Sequence, residues 1–459
     1  MSLIFKRSNK ILILKEIAKM SNCNLCEENK SFKKFLVIWF GQFISILGSG
    51  LSSFGLSVWI FYETGSATPF ALSFLCTTIP IIIFAPIAGS FADRKKRKYI
   101  IMITDTLDAI LKVIMVVLLL LQIMKVWMVY PILFISSTLS TFQGPAFSAS
   151  IPMIVSKNKL SRANGMIQFS RAAQNMLAPV FAGALYPILN LSGLLVIDFI
   201  SFFFAIATIA VIKIPQHKVN KENLSFFNTV IRDFKFAWNY LYEKKGFIGL
   251  LFSFSGLNFI AITSLILLGP MILANYNASI YGTIEAVYGF SMILGGVLSG
   301  ILPNTNKKIR TIFMALGFSG IGLIIAGSSP RWYVIGSGFF IFALLVPYAN
   351  TLLDTLFQSK IEPSVLGRVS ALVSAILSSV TPIACMLAGP LADDIFEPLM
   401  SEGGILGNSF IGNLIGYGTG RGIGFLFILC GIILILSCIL MIFNKNANTL
   451  EERIPDVSD

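Results

Sequence analysis

Apolar stretches of about 20 residues or more recur along the whole chain, separated by short segments rich in Lys and Arg. Wound as a helix, a run of that length matches the roughly 30 Å hydrocarbon thickness of a bilayer. No other feature constrains the fold as tightly. The runs lie near 35–61, 70–91, 99–122, 127–150, 163–189 and 192–213, and then near 246–273, 280–302, 309–328, 332–358, 367–391 and 423–443. Helix is the regular structure that fits them, since an open sheet leaves backbone groups unpaired in lipid and barrel strands alternate over about ten residues. With 55% hydrophobic and 12% charged residues and a mean hydropathy of +0.81, the chain lacks the polar surface of a soluble domain, which is roughly a quarter charged. The expectation is an all-α membrane protein of twelve transmembrane helices in two six-helix halves.

The net charge of +13 does not point to nucleic acid, because the bases sit in short loops between apolar runs rather than along one stripe. Counted by alternate loops, about 30 of the 35 Lys and Arg fall on one side, and only Lys125, Arg331 and Arg421 on the other. The positive-inside rule then places both termini in the cytoplasm of a multi-pass plasma-membrane protein. A miscount by one helix destroys this asymmetry. The expected organisation is a leader over 1–34, a six-helix bundle over 35–213, a cytoplasmic linker over 214–245, a second bundle over 246–443 and a tail over 444–459.

The leader does not read as a cleaved signal, because Lys15 and Glu16 interrupt its apolar stretch. It is either a disordered extension or a segment lying on the membrane surface, with Ile4, Ile11, Leu14 and Ile17 loosely on one side. Cys23 and Cys26 form a CxxC without a second pair or a nearby histidine, a weak sign of metal or redox chemistry. Cys76, Cys385, Cys430 and Cys438 lie in apolar runs, where a thiol packs as a small hydrophobe. His217, the single histidine, falls in the polar linker and reads as a solvated loop residue.

Between the second and third helices come Gly89, Asp93, Arg94, Arg97 and Lys98, and at the matching place in the second half Gly300, Asn304 and Lys308 repeat the offsets of Gly89, Asp93 and Arg97. The halves look like a degenerate parallel duplication. This loop resembles the signature of the major facilitator superfamily, and the resemblance extends to Trp39, Gly41, Gln42, Gly48 and Ser49, to Arg162, Ala163 and Asn164, and to Gly367, Arg368 and Val369. It is nearest to the macrolide-efflux and enterobactin-exporter branch. Two departures stand out: Lys96 replaces the usual glycine between the bases, and Ala178, Pro179 and Gly183 only partly match the glycine-rich motif that exporters carry in helix five. The resemblance implies that Gly89 packs helix two closely on helix eleven, that the loop charges form a cytoplasmic gate, and that helices one, four, seven and ten line a central cavity.

Ionisable groups inside a span cost a few kcal/mol and are functional candidates. Asp105, Asp108 and Lys112 stand at i, i+3 and i+7 on one face of helix three. They form either a proton-exchanging group or a static pair. Arg171 lies at a depth from which it can pair with Asp105, and Asp198 and Glu285 lie near the outer ends of their helices. Asp354, on helix ten, is the preferred proton site among the isolated acids. The expected cavity candidates are Gln42, Ser45, Ser49, Ser137, Thr141, Asn258, Tyr348 and Asn350, in a lining rich in Phe and Met that suits an amphipathic organic molecule. The alternative for each Ser and Thr is a bond between helices.

The resulting expectation is a monomeric exporter of a small drug-like or macrolide-like compound. It works by proton antiport, with a proton gradient and no cofactor or metal, and its partners are the small molecule and lipid. Export of a siderophore or peptide is the nearest alternative, although an anionic siderophore calls for more cavity bases than Lys112 and Arg171. No GxxxxGK[ST] loop is present for ATP. A membrane-embedded enzyme calls for clustered His, Cys or acid pairs, which one loop histidine does not supply; sensing without transport is a third option.

Overall fold

The computed structural model describes the backbone of residues 2–211, 226–243, 246–302, 305 and 307–444, and the side chains from residue 31 onward within these ranges, except at 93 and 226–231. Asp93, His217, Asn304 and the CxxC cysteines therefore lie, as side chains, outside the described residues, as does the tail beyond 444.

The described residues are nearly all helical. They form α1 (Ser2–Thr64), α2 (Ala67–Arg94), α3 (Arg97–Leu120), α4 (Val126–Ile154), α5 (Leu160–Val211), α6 (Phe226–Glu243), α7 (Phe247–Leu273), α8 (Ala278–Ile301) and α9 (Lys308–Ser328). These are followed by α10 (Trp332–Leu344), α11 (Val346–Lys360), α12 (Pro363–Pro390), a π turn over Leu391–Phe396, short helices α13 (Glu397–Met400) and α14 (Phe410–Ile415), and α15 (Arg421–Phe443). Nine stretches among the described residues are long and apolar enough to span a bilayer. One of them breaks at Asn190, where the backbone takes φ 52°, a left-handed conformation that asparagine tolerates. With α3 and α4, which have spanning length but carry more polar groups, the described residues contain twelve helical segments long enough to cross.

Some boundaries differ from the sequence reading, for local reasons. Backbone helix runs unbroken from Ser2, so the leader continues into the first span. The tenth span divides at Leu345 into α10 and α11, because Pro347 cannot donate a hydrogen bond to the turn before it. Within the linker, α6 lays Ala237 and Leu241 inward and packs on α12. Its Asp233 lies 3.8 Å from Arg368, whose guanidinium also covers the Phe236 ring at 5.3 Å.

The two halves pack in a parallel pattern. In the first half α1 packs on α5, α2 on α4 and α3 on α5; in the second, α7 packs on α12, α8 on α10 and α11, and α9 on α15. The halves meet along two seams, α5 against α8 and α2 against α12. Every span has one end on the face that holds Thr64, Ala67, Ala278 and Arg421, and the other on the face that holds Arg94, Lys157, Lys308 and Lys360.

Candidate functional site

The two faces differ in how tightly the halves meet. On the face of Thr64 and Ala278 both seams are closed. A Cβ on Gly282 would strike the carbonyl oxygen of Pro179, and one on Gly183 would come within 2.8 Å of the Ala278 oxygen. Ser279 Oγ donates to the Gly183 oxygen at 2.8 Å across this seam. A Gly282→Ala substitution is expected to push the helices apart and cost about 1–3 kcal/mol, read as a lower unfolding temperature of the purified protein.

At the other seam a carboxylate from one half caps a helix of the other. Asp393 Oδ1 accepts from the Ala67 amide at 3.0 Å, and Oδ2 accepts from the Thr68 amide at 2.8 Å, the Thr68 hydroxyl at 2.7 Å and the Ser66 hydroxyl at 2.5 Å. Ser66 alone is an ordinary N-cap for α2, accepting from the Thr68 amide at 3.3 Å. Asp393 adds a full negative charge at the positive end of the same helix.

The opposite face is open. A Cβ added at Gly89, Gly165, Gly296, Gly300 or Gly367 would meet nothing within 4 Å. The close packing of Gly89 on helix eleven that the resemblance implies is therefore absent, because α2 and α12 meet at their other ends. Arg94 is exposed. Arg97 donates to the Ala149 oxygen at 2.7 Å and Lys98 to the Ala210 oxygen at 2.7 Å, bonds that tie α3 to α4 and α5 inside the first half.

Between the halves lies a cavity of about 810 Å³, walled by α1, α2, α5, α7, α8 and α12. Its lining is largely apolar and aromatic, with Phe54, Phe74, Ile262, Leu265 and Met292, joined by Gln174, Asn175, Tyr281, Glu285 and Tyr288. Tyr281 Oη donates to Glu285 Oε1 at 2.6 Å, and the Tyr281 ring stacks on Phe54 with centroids 4.9 Å apart.

A second cavity of about 430 Å³ lies within the first half and shares Ser53 and Gln174 with the first. Gln42, Ser45, Ser49, Asp105, Asp108, Lys112, Ser137, Arg171 and Asp198 line it. The i, i+3, i+7 spacing does bring Asp105, Asp108 and Lys112 to one face, but the partners differ from those expected. Lys112 Nζ lies 3.3 Å from Asp198 Oδ2, and the two residues are only 7% and 4% exposed. Ser49 Oγ donates to the other Asp198 oxygen at 3.1 Å. Asp108 accepts from Ser136, and Asp105 accepts from Gln143 rather than pairing with Arg171. Asp105 Oδ2 and Gln42 Nε2 are buried without a hydrogen-bond partner among the described residues.

The remaining candidates fall elsewhere. Thr141 bonds the Ser137 oxygen of its own helix at 2.8 Å, and Asn258 Nδ2 bonds the Leu377 oxygen at 3.0 Å, fastening α7 to α12. Tyr348 is buried within α11. Asn350 and Asp354 are exposed on α11 and line neither cavity. On α8, Tyr281, Glu285 and Tyr288 at i, i+4 and i+7 share a helix face; of these the sequence reading names only Glu285, as an acid near the outer end of its helix. That spacing around one acid in an apolar run was the available signal.

A family model described as Major Facilitator Superfamily matches residues 38–384. Macrolide efflux protein A of Streptococcus pyogenes is 30% identical over 371 residues, 79% of this chain and 90% of that protein. Macrolide efflux protein A of Enterococcus faecalis is 30% identical over 328 residues, 70% of this chain and 99% of that protein. Among solved structures, the nucleoside transporter NupG superposes with a TM-score of 0.67 at 14% identity, covering 90% of this chain and 100% of that one; this is a likeness of fold.

Proposed function

The chain belongs to the major facilitator superfamily and is a membrane transporter rather than an enzyme, and from that premise we propose that it exports a small amphipathic organic compound of macrolide-like character by proton antiport. The observation that carries this reading is the largely apolar cavity of about 810 Å³ between two halves that are sealed at one face and apart at the other, the arrangement alternating access requires. The relatives named macrolide efflux proteins favour a macrolide-like cargo.

Charge supports the orientation, and the macrolide efflux relatives support the direction. The open face holds Arg94, Lys95, Lys96, Lys157, Lys159, Lys308, Lys360 and Arg368, and the closed face Lys125, Arg331 and Arg421. On the positive-inside rule the open face is cytoplasmic, so the cavity loads from the cytoplasm and both termini lie there. The bundles, 35–213 and 246–443, rock as monomeric halves about the seams, and the basic loop after Gly89 closes the cytoplasmic face in the other half of the cycle.

Proton coupling belongs to the first-half cavity. Asp105 is buried with one oxygen unbonded, beside Asp108, Lys112 and Asp198, and the shared wall at Ser53 and Gln174 joins this group to the cargo cavity. Asp354 has neither property. In vesicles of purified protein loaded with a pH-sensitive dye, Asp105→Asn is expected to abolish macrolide-driven proton movement and Asp354→Asn to leave it within about twofold, as expected for a surface substitution. The reverse pattern restores Asp354 as the coupling site.

A further inference from the structure

The segment that joins α12 to α15 is long for a connection between two spans, and its residues 401–420 line neither of the two cavities. From 403 to 420 it holds no Asp, Glu, Lys or Arg. Its backbone is nonetheless tightly folded. The Leu406 and Gly407 amides donate to the Leu399 oxygen at 3.0 and 3.1 Å, the Gly412 amide to the Leu406 oxygen at 3.1 Å, and the Gly418 amide to the Met400 oxygen at 2.9 Å. A Cβ on Gly407 would strike the Ser401 oxygen, and one on Gly412 the Gly407 oxygen. Asn275 Nδ2, just past the end of α7, donates to the Thr419 oxygen at 2.9 Å. This fixed frame turns large apolar side chains outward: Ile405 is 80% exposed, Phe410 79%, Leu414 69% and Tyr417 54%. Phe410 and Leu414 share the face of α14 opposite the buried Gly412 and Ile415.

An exposed apolar patch of this kind marks an interaction surface, and its place in the fold says with what. The loop leaves one span and enters the next at the closed face, and Asn275 ties it to the end of a third, so it is held at headgroup depth. The lipid-facing side of α12 also leads into it. Thr381 and Cys385 of α12 line the inter-half cavity, whereas Ile383, Met386 and Leu387 are exposed on the opposite side of the helix, and exposed Ile395 follows in the π turn. A water-facing protein interface has a polar rim, and 403–420 supplies no charge for one. We propose that this loop is an interfacial anchor, seating Ile405, Phe410, Leu414 and Tyr417 at the headgroup–acyl boundary of the leaflet at the closed face. Apolar side chains leave water there, and a tyrosine keeps its hydroxyl at the wet edge. The anchor begins just after Asp393 and so holds the closed-face end of α12 to the bilayer beside the residues that join the halves. It needs only that the chain spans a membrane, and is independent of cargo, direction and coupling.

The test measures depth. Nitroxide labels are placed singly at Ile405→Cys, Phe410→Cys, Leu414→Cys and Tyr417→Cys, with the exposed positions Glu402→Cys and Lys125→Cys as references, in the full chain freed of its native cysteines and held one copy per lipid nanodisc. Collisions are read with oxygen, which concentrates in lipid, and with a nickel chelate, which stays in water. The four loop labels are expected to favour oxygen and to lie within about 5–10 Å of the headgroup–acyl boundary, and the two reference labels to favour nickel. Nickel access at the loop labels equal to that at Glu402→Cys overturns the proposal. So does shielding that arises only in discs holding two copies, which makes the patch an interface between chains. With Phe410→Asp and Leu414→Asp both present, the label at Ile405→Cys is expected to rise to the nickel access of Glu402→Cys at an unchanged unfolding temperature; unchanged depth overturns the anchor. Phe410→Trp needs neither a label nor the removal of cysteines. The emission it adds to that of the wild type is expected to be quenched by lipid brominated near the headgroup, and added emission that this lipid leaves intact also overturns the proposal.

Discussion

Asp393→Ala is expected to shift the transporter from the state open at the Arg94 face toward the one open at the Thr64 face and to slow transport at least about tenfold. Asp393 accepts four hydrogen bonds from residues 66–68 of the opposite half, two of them from the free amides that begin α2. All four must break before the closed face opens. Hydrogen bonds to a charged group contribute more than neutral ones, and truncation leaves the donors short of a partner. A net loss on the order of 2–3 kcal/mol is expected, about 30- to 150-fold in the ratio of states. Spin labels at the exposed positions Lys125 and Glu402, on opposite halves at this face, read the change in a background free of the six native cysteines. A longer-distance population that the wild type lacks is the expected result; identical distance distributions refute the latch. Asp393→Asn keeps the acceptor oxygen without the charge and is expected to fall between the two.

The second large effect concerns the ion pair between α3 and the returning arm of α5. Asp198→Ala removes the carboxylate 3.3 Å from the buried Lys112 and leaves Asp108, one turn away on α3, as its remaining counter-charge, so the cost is expected at the lower end of the about 3–5 kcal/mol of breaking a buried pair. Thermal unfolding of the purified protein is expected to show a marked drop in midpoint. The double variant Lys112→Met with Asp198→Leu removes both charges of the pair and leaves Asp108 its bond from Ser136; it is expected to recover part of that stability, because two apolar groups need no counter-charge. Stability and coupling separate in this double variant. Recovered unfolding temperature with lost proton movement assigns the pair to coupling, and recovery of both makes it a structural lock.

These residues also show what a sequence reading can reach. Spans, orientation and the shared face of Asp105, Asp108 and Lys112 depend only on run length, charge side and helical period, and the structure reproduces that shared face. The partner of Lys112 does not follow from such rules: Asp108 is one turn away, but Asp198, 86 positions on, is brought alongside by the packing of α3 on α5. The apolar run near 280 puts Glu285 about five residues in from its outer end; Asn277 caps α8, accepting from the Ile280 amide at 3.1 Å, so the helix begins two residues earlier, at Ala278. Analogy with cavity helices puts Asn258, Tyr348 and Asn350 at a cavity, whereas Asn258 fastens α7 to α12. The latch at Asp393 had no sequence signal, since it joins residues about 325 apart across a seam that exists only in the folded pair of halves.

The central claim, proton-driven export through a cavity that loads from the cytoplasm, is tested most directly by the cellular accumulation of a radiolabelled macrolide, with and without the chain, before and after an uncoupler collapses the proton gradient. Lower accumulation in cells that contain the chain, rising to the level of cells without it once the uncoupler is added, is the predicted result. Equal accumulation with and without the chain, or a reduction that the uncoupler leaves intact, contradicts it.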